Sequence, residues 1–466
     1  MLTGACGAIV LRILAALMRI LRAALALSLA CGALLTFAPL SAGEAQARGT
    51  LAVVNANVLP MDRDTLLAGQ TVLIRDGIIE QVGPSSRVRI PPGATRIDAG
   101  GKYVMPGLAD MHVHMTVPRQ FQLELLKMYA VNGVTTILNM RGTPDHLELR
   151  SDIRSGRVFG PDMYTVGRFV NAPFFVTPDS VEQEVVAQKR AGYDFIKMHG
   201  ELSREAYARL NAVGRREGIR IIGHAPRTLG IDVVFAEHQY ALAHAEEFLY
   251  DTTGSSRDVD LPKFEPRIPE LTRKMVAADV WLMPNLTAYR IIGLMAQDLS
   301  AILARPEMKY LPAPIRAGWG PETNPYTRRF GPEKAPGILA RHALLKKLTK
   351  AFDSAGVKLL VGTDGLNVGV VPGFSAHDEL QELVDAGLTP YHALRAGTAN
   401  ASAFLGSSPC IGQVRTGCVA DLLLLDASPL SNIANTRRIA GVMLRGRWLS
   451  RQELDGILES LEAGGR

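Results

Sequence analysis

The 466-residue sequence has little cysteine, and its four cysteines are too few for a scaffold built on disulfides. It has no run of five or more basic residues, and a formal net charge of +6 is small for this length, so a nucleic acid is not an expected partner. After residue 40, no apolar stretch approaches the length that crosses a bilayer. With 47% hydrophobic and 21% charged residues, a disordered chain is excluded, and we expect two or three domains or one large barrel with an appendage.

The first 47 residues have the pattern of a secretory signal peptide. Arg12, Arg19 and Arg22 precede an apolar stretch over residues 23–40, and small residues then lead to an A-x-A site that ends at Ala47. A basic region, an apolar region and a small-residue site in this order predict cleavage after residue 47. We therefore expect an exported protein, periplasmic or secreted, with no membrane attachment after cleavage; an uncleaved membrane anchor is the alternative.

The rest of the chain predicts an α/β fold in two parts. Both ends are rich in short β-runs, whereas residues 106–407 alternate short apolar strands with helix-length stretches, which is typical of a (β/α)8 TIM barrel. Residues 48–105 and 408–450 then form one small β-sandwich domain built from both termini, and residues 451–466 form a C-terminal tail. The barrel strands are predicted at Leu108–Val113, Val134–Asn139, Met163–Val166, Phe195–Met198, Ile219–Ile222, Ala241–Ala243, Val280–Met283 and Lys358–Val361.

Two segments leave alternatives open. Residues 306–336 hold seven of the 27 prolines and follow the seventh predicted strand, so they form either a lid over the C-terminal face of the barrel or a disordered loop; we expect the lid. Cys410 and Cys418 lie eight residues apart in a loop that contains Gly. In an exported protein they either close a disulfide or remain two free thiols.

Side chains that can ligate a metal stand at the ends of the predicted barrel strands. His112 and His114 end the first strand on the same face, because side chains alternate along a strand. The carboxyl ends of all barrel strands meet at one face, where catalytic groups are found. Each histidine taken singly is equally consistent with a hydrogen-bonded core residue, but the coincidence of so many predicts a metal site. The polar side chains at these strand ends are His112, His114, Lys197, His224, His244 and Asp364.

The motifs that carry these residues resemble those of the amidohydrolase superfamily. They read VMPGLAD and ADMHVH at the first strand, FIKMHG around Lys197, then IIGHAP, ALAHAEE and VGTDG. The resemblance covers Val53 to about Arg447 and is greatest to the imidazolonepropionase- and prolidase-related branch, which has two metals and a carboxylated lysine.

This resemblance implies a binuclear metal centre. Zinc is expected because it suits mixed imidazole and oxygen donors, with manganese or cobalt as alternatives. Lys197 bridges the two ions after reaction with carbon dioxide, because its carbamate is an anionic oxygen donor and a protonated amine cannot ligate a metal. In this assignment His112, His114 and Asp364 hold a buried ion, and His224 and His244 hold a more exposed one.

The implied reaction is cleavage of an amide or peptide bond by a metal-bound hydroxide. Asp364 is expected to take the proton from water and pass it to the leaving nitrogen, and His199 to hydrogen-bond the carbonyl. Arg141 and Arg227 are candidates to bind a substrate carboxylate, with a structural salt bridge as the alternative for each. Tyr289 is a candidate to line the pocket. The expected substrate is a dipeptide or an N-acyl amino acid.

Other interpretations of the same residues remain open. Hydrolysis of a cyclic imide, a lactone or a phosphotriester is the alternative reaction, and a mononuclear deaminase or a metal-binding protein without turnover are the other classes. Glu246 and Glu247 follow His244 and are expected to orient it. The expected partner is a small, carboxylate-bearing substrate, and we expect a homo-oligomer.

Overall fold

The computed structural model describes residues 49–250 and 260–465. The predicted signal peptide, residues 1–47, lies outside the described residues. Within those two ranges, no helix combines the length and the apolar character needed to cross a bilayer.

The strands are numbered in chain order and fall into an N-terminal, a central and a C-terminal group. They are β1 Thr50–Val58, β2 Leu67–Arg75, β3 Ile78–Pro84, β4 Thr95–Asp98, β5 Tyr103–Pro106, β6 Leu108–Val113, β7 Val134–Asn139, β8 Asp162–Thr165, β9 Phe195–Met198, β10 Arg220–Gly223, β11 Ala241–Ala243, β12 Trp281–Met283, β13 Leu422–Leu425, β14 Ile439–Leu444 and β15 Arg447–Ser450.

Strands from both ends of the chain form one eight-stranded sheet. Its order is β15-β14-β13-β5-β1-β2-β3, with β4 paired to β1. Ile78, at the start of β3, forms an antiparallel bridge with Val419, which lies just before β13. The β3 edge of the sheet therefore contacts the segment that leads into β13, and the sheet encloses an apolar interior. Val72 from the N-terminal part and Leu422 from the C-terminal part pack in that interior, as the prediction of one β domain built from both termini requires.

The loop before β13 is closed by a disulfide between Cys410 and Cys418. Cys418 is buried in the interior of the β domain, and Cys410 packs against it. Of the two alternatives left open by the sequence, the structure has the disulfide.

The central strands close into a parallel barrel. β6, β7 and β8 pair in that order, and so do β9, β10, β11 and β12. Residues 358–365 serve as the eighth strand, although they are held by single bridges rather than by a continuous ladder. The bridges that complete the ring are Val166–Phe195, Leu282–Leu359 and Val113–Gly365. The predicted (β/α)8 barrel is therefore confirmed.

Apolar side chains fill the lower part of the barrel. The rings of Phe195, Tyr240 and Trp281 surround Phe404, with ring centroids 5.0–5.6 Å apart. Met111 and Met283 belong to the same buried cluster. A barrel packed in this way is not a pore. The polar side chains at the upper strand ends therefore face a cavity that is open on one side.

The helices are also numbered in chain order. They are α1 Arg119–Val131, α2 Pro144–Arg154, α3 Pro178–Ala191, α4 Arg204–Glu217, α5 Asp232–Ala236, α6 Glu247–Tyr250, α7 Leu261–Phe264, α8 Ile268–Ala278, α9 Leu286–Gln297, α10 Leu299–Leu303, α11 Ala313–Gly318, α12 Pro325–Arg329, α13 Ala335–Ser354, α14 Phe374–Asp385, α15 Pro390–Ala396, α16 Ala399–Leu405 and α17 Arg451–Gly464.

Local sequence signals explain where the barrel helices begin and end. The Ser203 hydroxyl accepts a hydrogen bond from the N–H of Ala206 and caps α4, and Gly218 ends that helix in the left-handed conformation. Tyr207 and Leu210 lie on its buried face, at the spacing of an amphipathic helix. The following strand therefore starts at a fixed point, which places its last residues at the upper face.

Two segments outside the regular alternation have defined structure. Residues 306–336 contain the 3₁₀ turn Pro306–Tyr310 and helices α11 and α12, and Trp319 is buried. That this segment acts as a lid stays a prediction. The predicted C-terminal tail is largely the helix α17, which starts at a capping box formed by Ser450 and Glu453.

Candidate metal centre and active site

A cavity of about 420 Å³ opens at the carboxyl ends of the barrel strands. It contains all six side chains predicted as metal ligands, together with residues from loops outside the strands. The lining residues are His112, His114, Thr116, Arg141, Phe169, Lys197, His199, His224, His244, Glu246, Tyr326, Asp364, Leu366 and Asn367.

His112, His244 and Asp364 form a compact group of metal-ligating atoms. One such atom from each residue lies within 4.8 Å of the others. Asp364 Oδ1 lies 2.8 Å from Nε2 of His114 and 3.4 Å from Nε2 of His112. The Nδ1 atoms of both these histidines are buried and have no hydrogen-bond partner within the described structure. Imidazole and carboxylate donors that converge in this way fit a divalent metal ion.

The chain segments that carry His112 and Asp364 are joined by the buried carboxylate of Asp110. Its Oδ1 accepts hydrogen bonds from the N–H of Thr363 at 3.0 Å and from the N–H of His112 at 3.3 Å. Its Oδ2 accepts the Thr363 hydroxyl at 2.6 Å. Asp364 then follows with a positive φ of 63° and donates its N–H to the carbonyl of His112 at 2.8 Å. These contacts fix β6 and the eighth strand relative to each other.

Lys197 stands at the centre of the cavity floor. Its Nζ atom is buried and lies 3.2 Å from Nε2 of His112. Among the described residues, no ion pair links Lys197 to a carboxylate. Burial lowers the pKa of Lys197 to about 8. A Cβ at Gly223 would come within 3.0 Å of the Lys197 side chain and 2.3 Å of the Met198 carbonyl, so the glycine leaves the room in which the lysine lies.

His224 is oriented by Glu247. The Nδ1 of His224 lies 2.7 Å from Glu247 Oε1, and the other oxygen accepts the N–H of Ala225 at 3.2 Å. This contact leaves Nε2 of His224 for the cavity, the arrangement in which a carboxylate orients a metal-binding imidazole. The expectation that Glu247 orients His244 is therefore wrong: the carboxylate crosses to the histidine of the neighbouring strand end. Burial raises the pKa of Glu247 to about 8.

Burial keeps His112, His224 and His244 neutral. It lowers the pKa of His112 and His224 well below the usual value, with a further contribution from the positive charge of Lys197. It lowers the pKa of His244 to about 3. For Asp364, burial acts to raise the pKa, but the hydrogen bond from His114 and the nearby imidazoles outweigh it and hold the pKa well below its usual value. Neutral imidazoles and one carboxylate are the protonation states that bind metal.

Phe169 contacts two other residues that line the cavity, His199 and Arg141. The ring of Phe169 stacks on His199 with centroids 4.6 Å apart, and the guanidinium of Arg141 lies 5.5 Å from the same ring. Burial is the largest contribution that lowers the pKa of His199, to about 4. The structure thus brings two predicted substrate-binding residues, His199 and Arg141, to the cavity.

The other two predicted substrate-binding residues lie outside the cavity lining. Arg227 is exposed, and its guanidinium lies 4.3 Å from the ring centroid of Tyr250. Tyr289 is buried in α9, and its hydroxyl accepts a hydrogen bond from Nε of Arg341 at 3.1 Å. Neither is among the residues that line the cavity, so the expectation that Tyr289 lines it is wrong, and a contact between Arg227 and substrate stays a prediction.

Several lining residues were not predicted from the sequence. Thr116 and Phe169 lie three and four residues beyond the ends of β6 and β8, so a search limited to the last residues of the strands would not include them. Tyr326 comes from α12, in the proline-rich segment, where no periodic pattern indicates direction. Asn367 and Leu366 lie in the turn after Asp364.

Comparison with known proteins places this geometry in a family. The chain matches the model of the Amidohydrolase family over residues 103–449. An imidazolonepropionase from Geobacillus thermodenitrificans is 25% identical over 428 residues, which cover 82% of this chain and 91% of that protein. An adenine deaminase from Rubrobacter xylanophilus is 28% identical over 194 residues, which cover 32% of this chain and 32% of the deaminase. The chain therefore spans about a third of the length of that relative.

A solved structure of a Xaa-Pro dipeptidase with bound methionine shares the fold. It aligns with a TM-score of 0.66 at 17% identity, over 86% of this chain and 100% of that one. The family match confirms the resemblance predicted from the motifs.

Proposed function

The chain belongs to the amidohydrolase family and is a hydrolase that acts on C–N bonds, and on this basis we propose that it cleaves the amide bond of a dipeptide or an N-acyl amino acid. The observation that carries this proposal is the presence of the ligand cluster and of Arg141 in one cavity. In the described structure Arg141 forms no ion pair, so its guanidinium is available to a substrate carboxylate. A scissile carbonyl at the cluster and a carboxylate at Arg141 define a small acidic substrate.

We propose that the cavity holds two divalent metal ions, with zinc expected. The donor set supports this, because four imidazoles, one carboxylate and one lysine line the cavity floor. When bound, such ions acidify water and polarise a carbonyl oxygen. In this assignment His112, His114 and Asp364 hold one ion, and His224 and His244 hold the other.

We further propose that Lys197 is carboxylated. Its neutral amine attacks the carbon of carbon dioxide, an N–C bond forms, and the nitrogen releases a proton, which leaves an anionic carbamate. The support is geometric: the buried Nζ has an imidazole at 3.2 Å and no ion-pair partner among the described residues. A carbamate there adds the negative charge and oxygen donors that two cations require.

The proposed proton carrier is Asp364. Its Oδ1 faces His112 and His114, and its Oδ2 faces Asn367, so the carboxylate is fixed at the edge of the cluster. We expect it to take a proton from the attacking water and to deliver that proton to the leaving nitrogen. The neutral His199, held flat on Phe169, is the donor expected to hydrogen-bond the substrate carbonyl.

The test is a substrate panel with reconstituted protein. Metal-free protein receives zinc and bicarbonate and is assayed with dipeptides, N-acyl amino acids, cyclic imides, lactones and phosphotriesters. Release of an amino acid from either of the first two classes supports the proposal. Hydrolysis confined to the last three contradicts it and favours the alternative reaction.

Arg141→Ala provides the matched control for the substrate carboxylate. Because a hydrogen-bonded charge contributes about 1.5–3 kcal/mol, KM for acidic substrates should rise about 10- to 100-fold. KM for the same peptides with a C-terminal carboxamide should stay unchanged. An equal rise for both series contradicts the assignment of Arg141.

We also propose that the protein is exported and that residues 1–47 are removed. The support is the order of basic, apolar and small residues before Ala47. N-terminal sequencing of the protein from a periplasmic or culture fraction should start at Arg48. An intact N-terminus in a membrane fraction contradicts export by cleavage.

A further inference from the structure

One wall of the cavity comes from the proline-rich segment rather than from the barrel strands. Tyr326 lies in α12 and lines the cavity. The start of α12 is fixed by Asn324, which is fully buried and whose Oδ1 accepts the N–H of Tyr326 at 2.9 Å. The position of Tyr326 in the cavity is therefore fixed by a contact within the proline-rich segment, and not by a barrel strand.

The Tyr326 hydroxyl contacts the side-chain amide of Asn367. It lies 2.8 Å from Nδ2 and 3.1 Å from Oδ1 of that amide. The same Nδ2 atom donates a hydrogen bond to Oδ2 of Asp364 at 3.0 Å. A primary amide nitrogen carries two hydrogens, so it can donate to the carboxylate and to the hydroxyl at once.

These contacts hold Asp364 from the side away from the histidines. Oδ1 faces His114 and His112, whereas Oδ2 receives the Asn367 amide. The backbone of Asp364 has a φ of +63°, and the N–H of Asn367 donates to its carbonyl at 2.9 Å. The orientation of the Asp364 carboxylate therefore depends on the position of the Asn367 amide. Tyr326 fixes that position, because its hydroxyl contacts the amide nitrogen that donates to Asp364.

We propose that Tyr326 is a positioning residue for Asp364 that acts through the side-chain amide of Asn367. The inference rests on the proposed function, in which Asp364 is both a metal ligand and the proton carrier. It assigns a role to a side chain of the proline-rich segment: the segment completes the orientation of a catalytic carboxylate that it does not itself contact.

A double-mutant cycle tests this chain of contacts. The variants are Tyr326→Phe, Asn367→Ala and the double variant, each measured for kcat, KM and the zinc dissociation constant. Loss of a hydrogen bond to a charged group should lower kcat of Asn367→Ala about tenfold, and loss of the neutral contact should lower kcat of Tyr326→Phe about threefold. KM of Tyr326→Phe should change by less than about twofold, because the phenylalanine ring still fills the space of the tyrosine ring in the cavity wall.

The double variant gives the decisive comparison. If Tyr326 acts through Asn367, the double variant has the kcat and the zinc dissociation constant of Asn367→Ala alone. If the two effects multiply, Tyr326 acts independently and the proposal is overturned. A kcat and a zinc affinity of Asn367→Ala equal to wild type overturn it as well.

Tyr310→Phe is the matched control from the same segment. Tyr310 stacks on Phe374 with centroids 5.5 Å apart and does not line the cavity, so this variant should match wild type in all three measurements. The zinc measurements need no substrate. If wild type hydrolyses nothing in the panel but the zinc dissociation constants follow the cycle, the positioning role is supported although the proposed substrate is wrong.

Discussion

Replacement of Asp110 by leucine should weaken both the fold and the metal site, whereas asparagine should be tolerated at this position. Asp110 is fully buried and accepts hydrogen bonds from the N–H and hydroxyl of Thr363 and from the N–H of His112. Thr363 directly precedes Asp364 in the chain. The Asp110 side chain thus links β6, which carries His112, to the eighth strand, which carries Asp364.

The magnitude follows from the groups left without a partner. Leucine is similar in size but accepts no hydrogen bond, so two backbone N–H groups stay buried and unpaired at a cost of about 1–3 kcal/mol each, or about 2–6 kcal/mol of the free energy of unfolding. Burial raises the pKa of Asp110 to about 7, so a neutral side chain costs less at this position than at an exposed carboxylate. Asparagine keeps one acceptor oxygen and should cost about 1 kcal/mol or less.

Two measurements on each variant check this reasoning: thermal unfolding of the metal-free protein and titration with zinc. Asp110→Leu should lower the melting temperature and raise the zinc dissociation constant, and Asp110→Asn should stay close to wild type in both. Asp421→Leu is the matched control, because Asp421 is a buried carboxylate in the β domain that accepts the N–H of Arg445 at 2.6 Å. It should lower the melting temperature and leave zinc affinity unchanged. If Asp110→Leu loses stability but keeps wild-type zinc affinity, the idea that this carboxylate positions the ligands is refuted.

Three further predictions concern other buried groups. Glu247→Gln should raise the zinc dissociation constant about 10- to 100-fold, because the carboxylate orients His224; an unchanged constant in a zinc titration contradicts this. Lys197→Ala should lose the stimulation of activity by bicarbonate and bind fewer zinc ions per chain by elemental analysis, and a full complement of zinc contradicts the carbamate. Burial lowers the pKa of His377 to about 3 from its usual value of about 6.5, so the folded state keeps it neutral while the unfolded state gains a proton. Its contribution to stability is thus present above pH 6.5 and lost as the pH falls toward 3, and His377→Gln should lose less stability than wild type between about pH 7.5 and pH 5 in urea denaturation.

The barrel could be predicted because buried parallel strands are short apolar runs between turn residues. The predicted bounds Leu108–Val113 and Phe195–Met198 are those of β6 and β9 in the structure. The predicted strand Lys358–Val361 is different, since only Leu359 in it forms a bridge. Residues 358–365 turn to present Asp364 with a positive φ, and this irregular backbone has no signature in hydrophobic periodicity.

The predicted metal ligands could be placed at the cavity from their position alone, whereas two of the four predicted substrate-binding residues, Arg227 and Tyr289, do not line it. A residue at a strand end lies at the upper face of the barrel whatever its neighbours are, which placed His224 and His244 correctly at the cavity. Tyr289 lies in α9, where packing decides the direction of a side chain, and it turns to Arg341. Glu247 likewise contacts His224 rather than the adjacent His244, because its partner is set by the spacing of neighbouring strands and not by distance along the chain.

The residues that line the cavity come from two kinds of segment, the ends of the barrel strands and the loops beyond them. The ligands come from strand ends, which the barrel fixes, whereas Phe169 and Tyr326 come from segments that the barrel leaves free to differ. Phe169 contacts His199 by stacking, and both Arg141 and Nζ of Lys197 lie within 6 Å of its ring centroid, so one loop residue sets the spacing between Arg141, the proposed carboxylate binder, and the cluster. We therefore expect the length of substrate that the cavity accepts to depend on that loop, and membership of the amidohydrolase family does not by itself identify the substrate.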